Sequence, residues 1–279
     1  MPIPAEKQKI PILMYHSISE QATAKFKRFA VTPTLFSEHM AYLHQHAYTP
    51  VTVTQLVQAL SQESFALPEK PVVITFDDGF ADFYTEALPV LLQYSFVAKL
   101  YIVTAFINET SRWLQKEGEA ARPMLTWDQI TSISAAGIEC GGHTHTHPEL
   151  DTLSISNARE EIAQCKRLLE HHLGHEILSF SYPFGYHTTD IKQLVKDAGY
   201  TSACAVKYEM SSEATDPFAL SRLIVDADMS VNVLANTLIQ GTSPLVTLSK
   251  RMATPLWRLA RRSSAALHTH HLQGEVSLR

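Results

Sequence analysis

The chain has 279 residues, 45% apolar and only 18% charged, which gives material for a large buried core, as one barrel-like α/β domain or two smaller ones, and excludes a disordered body. A formal net charge of −5 leaves no basic excess, so nucleic acid is not the expected main partner. Cys140, Cys165 and Cys204 are widely spaced and form no C-x-x-C pair, which fits unpaired thiols in a reducing compartment better than a disulfide framework.

Short apolar runs alternate with longer amphipathic ones along the chain. PILMYH (11 to 16) reads as a buried strand, and a helix follows over 32 to 47 with Thr32 as N-cap and Pro33 at its first position. PVTV (50 to 53) is a short predicted strand before a helix over 54 to 62. PVVITF (71 to 76) is the best strand in the sequence, apolar and β-branched throughout, and it leads into a helical segment near 80 to 94. A strand over 97 to 104 precedes a helix in LTWDQITSISAAG (125 to 137), capped by Thr126 and ended by Gly137. GIECGG is a short strand, and residues 154 to 174 form the longest helix, with Ile155, Ala158, Ile162, Cys165, Leu168 and Leu169 on one face. EILSFSYP (176 to 183), TSACAV (201 to 206) and LSRLIV (220 to 225) supply later strands. Repeated β-α alternation predicts parallel strands with helices outside, as an open doubly wound sheet or a barrel.

No internal repeat or low-complexity linker splits residues 8 to 240, which are expected to form one domain. From 241 the character changes: Lys250, Arg251, Arg258, Arg261 and Arg262 come with no acidic residue in SKRMATPLWRLARRSS, beside Met252, Leu256 and Leu259. Residues 241 to 279 therefore read as a basic C-terminal extension, partly helical and then frayed. It either packs on the domain or rests on an anionic membrane surface. No apolar run has signal-peptide or transmembrane length, so the expected location is cytoplasmic, with a peripheral position at the inner membrane as the variant the basic extension offers. Nothing in the sequence specifies an oligomeric state.

Two stretches carry chemistry. Asp77 and Asp78, in FDDG, stand at the C-terminal end of the best strand, the side of α/β folds where ligand sites gather. Asp-Asp-Gly is also good turn chemistry, but two carboxylates against an apolar strand repel, and a bound cation offsets that cost. GGHTHTHPEL (141 to 150) places His143, His145 and His147 at alternate positions. Spacing does not choose among them: a helix aligns His143 with His147, a strand aligns all three. Imidazole and carboxylate together make a common zinc set that leaves a coordination position open.

TFDDG (75 to 79), HTHTHPEL (143 to 150) and SFSYPFG (179 to 185) resemble, in order and spacing, the first three motifs of NodB-type polysaccharide deacetylases, a group similar to carbohydrate esterase family 4. ILMYHSI and FAVTPTLFSEHMAYL look like members that act on N-acetylated exopolysaccharides such as poly-N-acetylglucosamine. The resemblance covers roughly residues 10 to 228. It implies a distorted (β/α)7 TIM-like barrel and hydrolysis of N-acetyl groups on the amino sugars of a poly- or oligosaccharide. It implies Asp77 as general base and Asp78, His143 and His147 as ligands of a divalent metal, Zn²⁺ foremost, with Co²⁺, Ni²⁺ or Mn²⁺ as substitutes. It also implies the Phe184 backbone N–H as oxyanion donor, with Tyr182, Pro183 and Phe184 along the sugar groove.

The chain departs from the pattern in three places. Ser181 stands where many members have an Arg that positions the base. No Asp-Trp pair is evident near GYTSACAV, and no Leu-x-His follows for the general acid. Arg222 resembles an Arg of the exopolysaccharide subgroup and is the candidate to orient Asp77. His16, at the end of the first strand, is the candidate general acid, against the reading of a core histidine bonded to backbone, and His187 is a weaker option. A carbohydrate-binding protein without catalysis on the same fold, and a hydrolase of another amide or an ester, are the alternatives that these departures leave open.

Overall fold

The computed structural model describes residues 9–61, 65–206, 210–211 and 215–241. The basic extension expected over 241 to 279 lies, beyond its first residue, outside the described residues.

The chain opens with β1 (Ile12–Tyr15), the short pair β2 (Ser17–Ile18) and β3 (Ala30–Val31), and α1 (Pro33–Gln45). Next come β4 (Thr49–Pro50), α2 (Val53–Ser61), β5 (Pro71–Phe76) and α3 (Leu88–Gln93), the last entered through one wide π turn, Phe83–Ala87. β6 (Lys99–Ile102), α4 (Trp127–Ala135), β7 (Glu139–Gly142), α5 (Ile155–Leu173) and β8 (Ser179–Ser181) follow. α6 (Thr189–Asp197), β9 (Ser202–Cys204), β10 (Leu223–Ile224) and α7 (Val231–Gln240) complete the described elements.

Seven strands lie side by side in the order β10-β1-β5-β6-β7-β8-β9, every pair parallel, with β4 on the flank of β5. The sheet curls until Cys204 bridges Leu220, with Ala205 N–H donating to Leu220 O at 2.8 Å and Leu220 N–H to Ala203 O at 2.9 Å. The result is a distorted, partly closed (β/α) barrel. Strands covered on both faces must be apolar along their whole length, and all six residues of β5 are buried. Four of the helices start where side-chain oxygens take orphan amides: Thr32 from Leu35, Ser154 from Asn157, Thr188 from Ile191, and Thr126 in a full capping box with Gln129.

Several elements differ from expectation, among them the short pair β2 and β3 and the helix α7, which were not among the predicted elements. PVTV does not form a strand to residue 53: Thr52 and Gln55 exchange bonds, Gln55 N–H to Thr52 Oγ1 at 3.0 Å and Thr52 N–H to Gln55 Oε1 at 2.8 Å, and this box draws Val53 into α2. α6 and α7 are additional, although the caps Thr188 and Ser230 and the buried face of Ile191, Leu194 and Val195 were signals for them. The C-terminal ends of β1, β5, β7 and β8 converge at one mouth of the barrel, which sets the place of the site.

Candidate active site

β7 delivers its histidine through two glycines that sit inside the strand rather than in a loop. A Cβ on Gly141 would lie 2.7 Å from Lys99 Cε and 2.8 Å from Ser179 O, and one on Gly142 would collide with the Tyr200 hydroxyl. His143 follows at once, 2% exposed, and its Nδ1–H donates to Ser181 O at 2.8 Å. That bond fixes the tautomer and leaves Nε2 as a lone-pair donor. Thr144 and His147 then take positive φ, 66° and 63°, and Thr144 Oγ1 accepts from His147 N–H at 3.0 Å. The turn folds His147 back beside His143, with ring centroids 4.9 Å apart. His145 points away: its Nδ1 pairs with Thr104 Oγ1 at 3.0 Å, and the amides of His145 and Thr146 donate to Glu161 Oε2 on α5 at 2.9 and 2.7 Å. Glu161 holds this loop from α5, the helix that follows it, and has no signal in the local sequence.

From β5, Asp78 adopts φ 77° ahead of Gly79 at 87°, a left-handed turn that Asp tolerates better than most side chains. Its Oδ1 lies 3.5 Å from His143 Nε2 and 3.3 Å from His147 Nε2. The ligand atoms of Asp78, His143 and His147 all fall within 4.8 Å of one another. Asp78 Oδ1 is buried with no hydrogen-bond donor, so its charge faces the two imidazole nitrogens and the space between them. One carboxylate oxygen and two imidazole nitrogens, converging and largely buried, make a set able to bind a divalent metal.

Asp77 faces the same space, its Oδ2 3.8 Å from His143 Nε2. Arg222, fully buried one residue before β10, donates to both Asp77 oxygens, Nη1 to Oδ1 at 2.6 Å and Nη2 to Oδ2 at 2.7 Å. Its remaining N–H groups go to Ser181 Oγ at 2.8 Å, Ala205 O at 3.2 Å and Thr75 Oγ1 at 3.3 Å. Small Ser181 thus leaves room for a guanidinium that arrives from another strand. Burial alone pushes the Asp77 carboxyl up, but Arg222 and then His143 outweigh it and hold it below the usual carboxylate range. Burial pulls the His143 imidazole down, yet Asp77 and Asp78 outweigh that and raise it in the metal-free protein.

His16 lines the same cavity, about 240 Å³, with the two aspartates, both cluster histidines and Phe184. Its ring packs on Phe29 at 4.9 Å, its Nδ1 is buried without a hydrogen-bond partner, and burial pulls its pKa down. Phe184 is 53% exposed at φ 58°. Gly185 N–H and Tyr186 N–H close the turn on Tyr182 O and Pro183 O, which leaves the Phe184 amide outside the turn's own bonds. Tyr182 and Pro183 correct the expectation of groove-lining side chains: both are buried, and the Tyr182 hydroxyl donates to Phe218 O at 3.0 Å. Of this motif, Phe184 alone presents its ring at the rim. His187 stacks under Tyr182 at 4.8 Å, with Nδ1 on Gly185 O at 3.2 Å.

The profile of the polysaccharide deacetylase family matches residues 66–203. YxkH of Bacillus subtilis, which carries a polysaccharide deacetylase name, is 30% identical over 222 residues, 80% of this chain and 73% of that protein. The chain belongs to the polysaccharide deacetylase family. Among solved members, the Streptococcus pyogenes deacetylase PplD in complex with acetate superposes with a TM-score of 0.72 at 27% identity, over 84% of this chain and 99% of that one. IcaB from Ammonifex degensii gives 0.70 at 22% identity, over 82% and 97% of the two chains, a likeness of fold. The poly-β-1,6-N-acetyl-D-glucosamine N-deacetylase of Escherichia coli is 28% identical over 136 residues, 47% of this chain but 20% of that protein, so the match spans one fifth of its length. Family, fold and Asp/His/His cluster together identify a metal-dependent hydrolase.

Proposed function

We propose that the protein removes acetyl groups from the N-acetylated amino sugars of a poly- or oligosaccharide. The observation that carries this reading is Asp77, ionised by a bidentate, buried Arg222 and set beside the Asp78, His143 and His147 cluster. Relatives named as poly-N-acetylglucosamine deacetylases support the substrate class. A divalent cation held by Asp78, His143 and His147, Zn²⁺ foremost, would polarise the acetyl carbonyl and make water a stronger acid. Asp77 is the base that takes the proton from water, and Arg222 keeps it charged and aimed. The Phe184 N–H faces the developing oxyanion, where a fixed donor is worth about 3 kcal/mol. His16, which lines the same cavity, is the group that returns a proton to the leaving amine.

The test is acetate release from acetylated glucosamine oligomers. Release should stop with a chelator and return with Zn²⁺ or Co²⁺. Metal-independent release, or turnover confined to acetyl esters in a screen that includes small amides, would replace this reading.

A further inference from the structure

His16 Nδ1 has no hydrogen-bond partner, so no bond to that nitrogen sets the ring's orientation. Its neighbours set it instead. Directly after it, Ser17 Oγ donates to Asp82 Oδ2 at 2.5 Å, and Ile18 N–H donates to Asp82 Oδ1 at 3.2 Å. Arg122, 105 residues away, donates from Nη1 to Ser17 Oγ at 3.0 Å and lies 3.4 Å from Asp82 Oδ2. The same guanidinium lies over the Phe26 ring at 4.9 Å; Phe26 packs on Phe29 at 5.8 Å, and Phe29 on His16 at 4.9 Å. Its other N–H groups tie Gln21 O at 2.7 Å and Glu119 Oε2 at 3.2 Å. One side chain, 8% exposed, therefore pins both the backbone that follows His16 and the tilted ring cluster that flanks it. None of its contacts reaches Asp77, Asp78, His143 or His147.

We infer that Arg122 is a positioning residue for His16, aiming the imidazole through Ser17 and Asp82 on one side and through Phe26 and Phe29 on the other. The inference rests on His16 as the proton donor proposed above. A misplacement of about 1 Å in such a group costs about 10²-fold in rate.

The test is a double-mutant cycle on the zinc-loaded protein. His16→Ala should lower kcat by about 10²- to 10⁴-fold. Arg122→Gln should lower it by about 10- to 100-fold, with KM and zinc affinity unchanged, and should add nothing in the His16→Ala background. In the metal-free protein, Arg122→Gln should shift the His16 imidazole resonances and leave those of His143 and His147 in place. Ser17→Ala, which removes one hydroxyl from the brace, should show the same pattern at smaller size and decides the matter if Arg122→Gln does not fold. Losses that multiply in the cycle, or a fall in zinc affinity parallel to kcat, overturn the brace. An unchanged kcat in His16→Ala removes the proton-donor reading itself, whereas loss there with an unaffected Arg122→Gln overturns the brace alone.

Discussion

Asp77 and Arg222 meet with both side chains buried, so each depends on the other's charge. Replacing Arg222 with Met leaves a buried carboxylate unpaired, and the expected cost is about 3–5 kcal/mol, read from the denaturant midpoint. The pH dependence follows from the direction of the shift. Because the folded-state pKa of Asp77 is depressed, the stability it contributes is fully present above the unfolded value of about 4 and is lost as pH falls through the lower folded value. Acid unfolding of the wild type should therefore begin below about pH 4, and Arg222→Met should lose that component of the profile. The histidines divide by the direction of their rings. His145→Gln should leave metal affinity within about twofold, while His143→Gln and His147→Gln should each lower it by far more, as measured by competition with a chromophoric chelator.

At the scale of elements, β7 is the strand that tolerates least. Gly141→Ala would push a methyl against Ser179 O, which belongs to the neighbouring strand and cannot move aside. The expected loss is about 1–3 kcal/mol in thermal denaturation, with weaker metal binding because His143 follows two residues later. The sequence was most legible at this scale where the signal was local: the apolar run of β5, the caps Thr32 and Thr126, and the β-α alternation that predicted parallel strands with helices outside, while the choice of a barrel over an open sheet came from the motif resemblance. Legibility failed where a side chain's role depends on what packs around it. PVTV has strand composition, yet a capping box at Thr52 starts the helix. Tyr182 sits in a sugar-binding motif, yet its ring faces the core and its hydroxyl a backbone carbonyl. The site divides in the same way. Asp78, His143 and His147 were reached through motif resemblance, whereas spacing left the histidines undecided. Arg222 could be named from resemblance, but its grip on Asp77, across 145 residues, needs the closed barrel to be seen. Arg122 reaches Ser17 across 105 residues, and Glu161 reaches His145 across 16, and neither left a local pattern.

For the whole molecule, the cluster joins the end of β5 to the loop after β7, so a bound cation ties two parts of the barrel mouth together. Metal at a hundred times its dissociation constant should raise stability by about 2.7 kcal/mol, visible as a thermal shift that a chelator reverses. No shift with Zn²⁺, Co²⁺, Ni²⁺ or Mn²⁺ would contradict a site formed by these three residues. Among the described residues no helix is long and apolar enough to cross a membrane. The basic residues of 241 to 279 carry a separate proposal, contact with an anionic membrane surface, which fractionation of full-length and truncated protein decides; identical distributions would remove it. The central claim is that Asp77 acts as a base beside a metal it does not itself need to bind. The most direct measurement is acetate release from acetylated glucosamine oligomers by Asp77→Asn protein carrying stoichiometric zinc. Full metal occupancy with acetate release lowered by at least about 10²-fold is the predicted result; wild-type release from that protein would contradict the account.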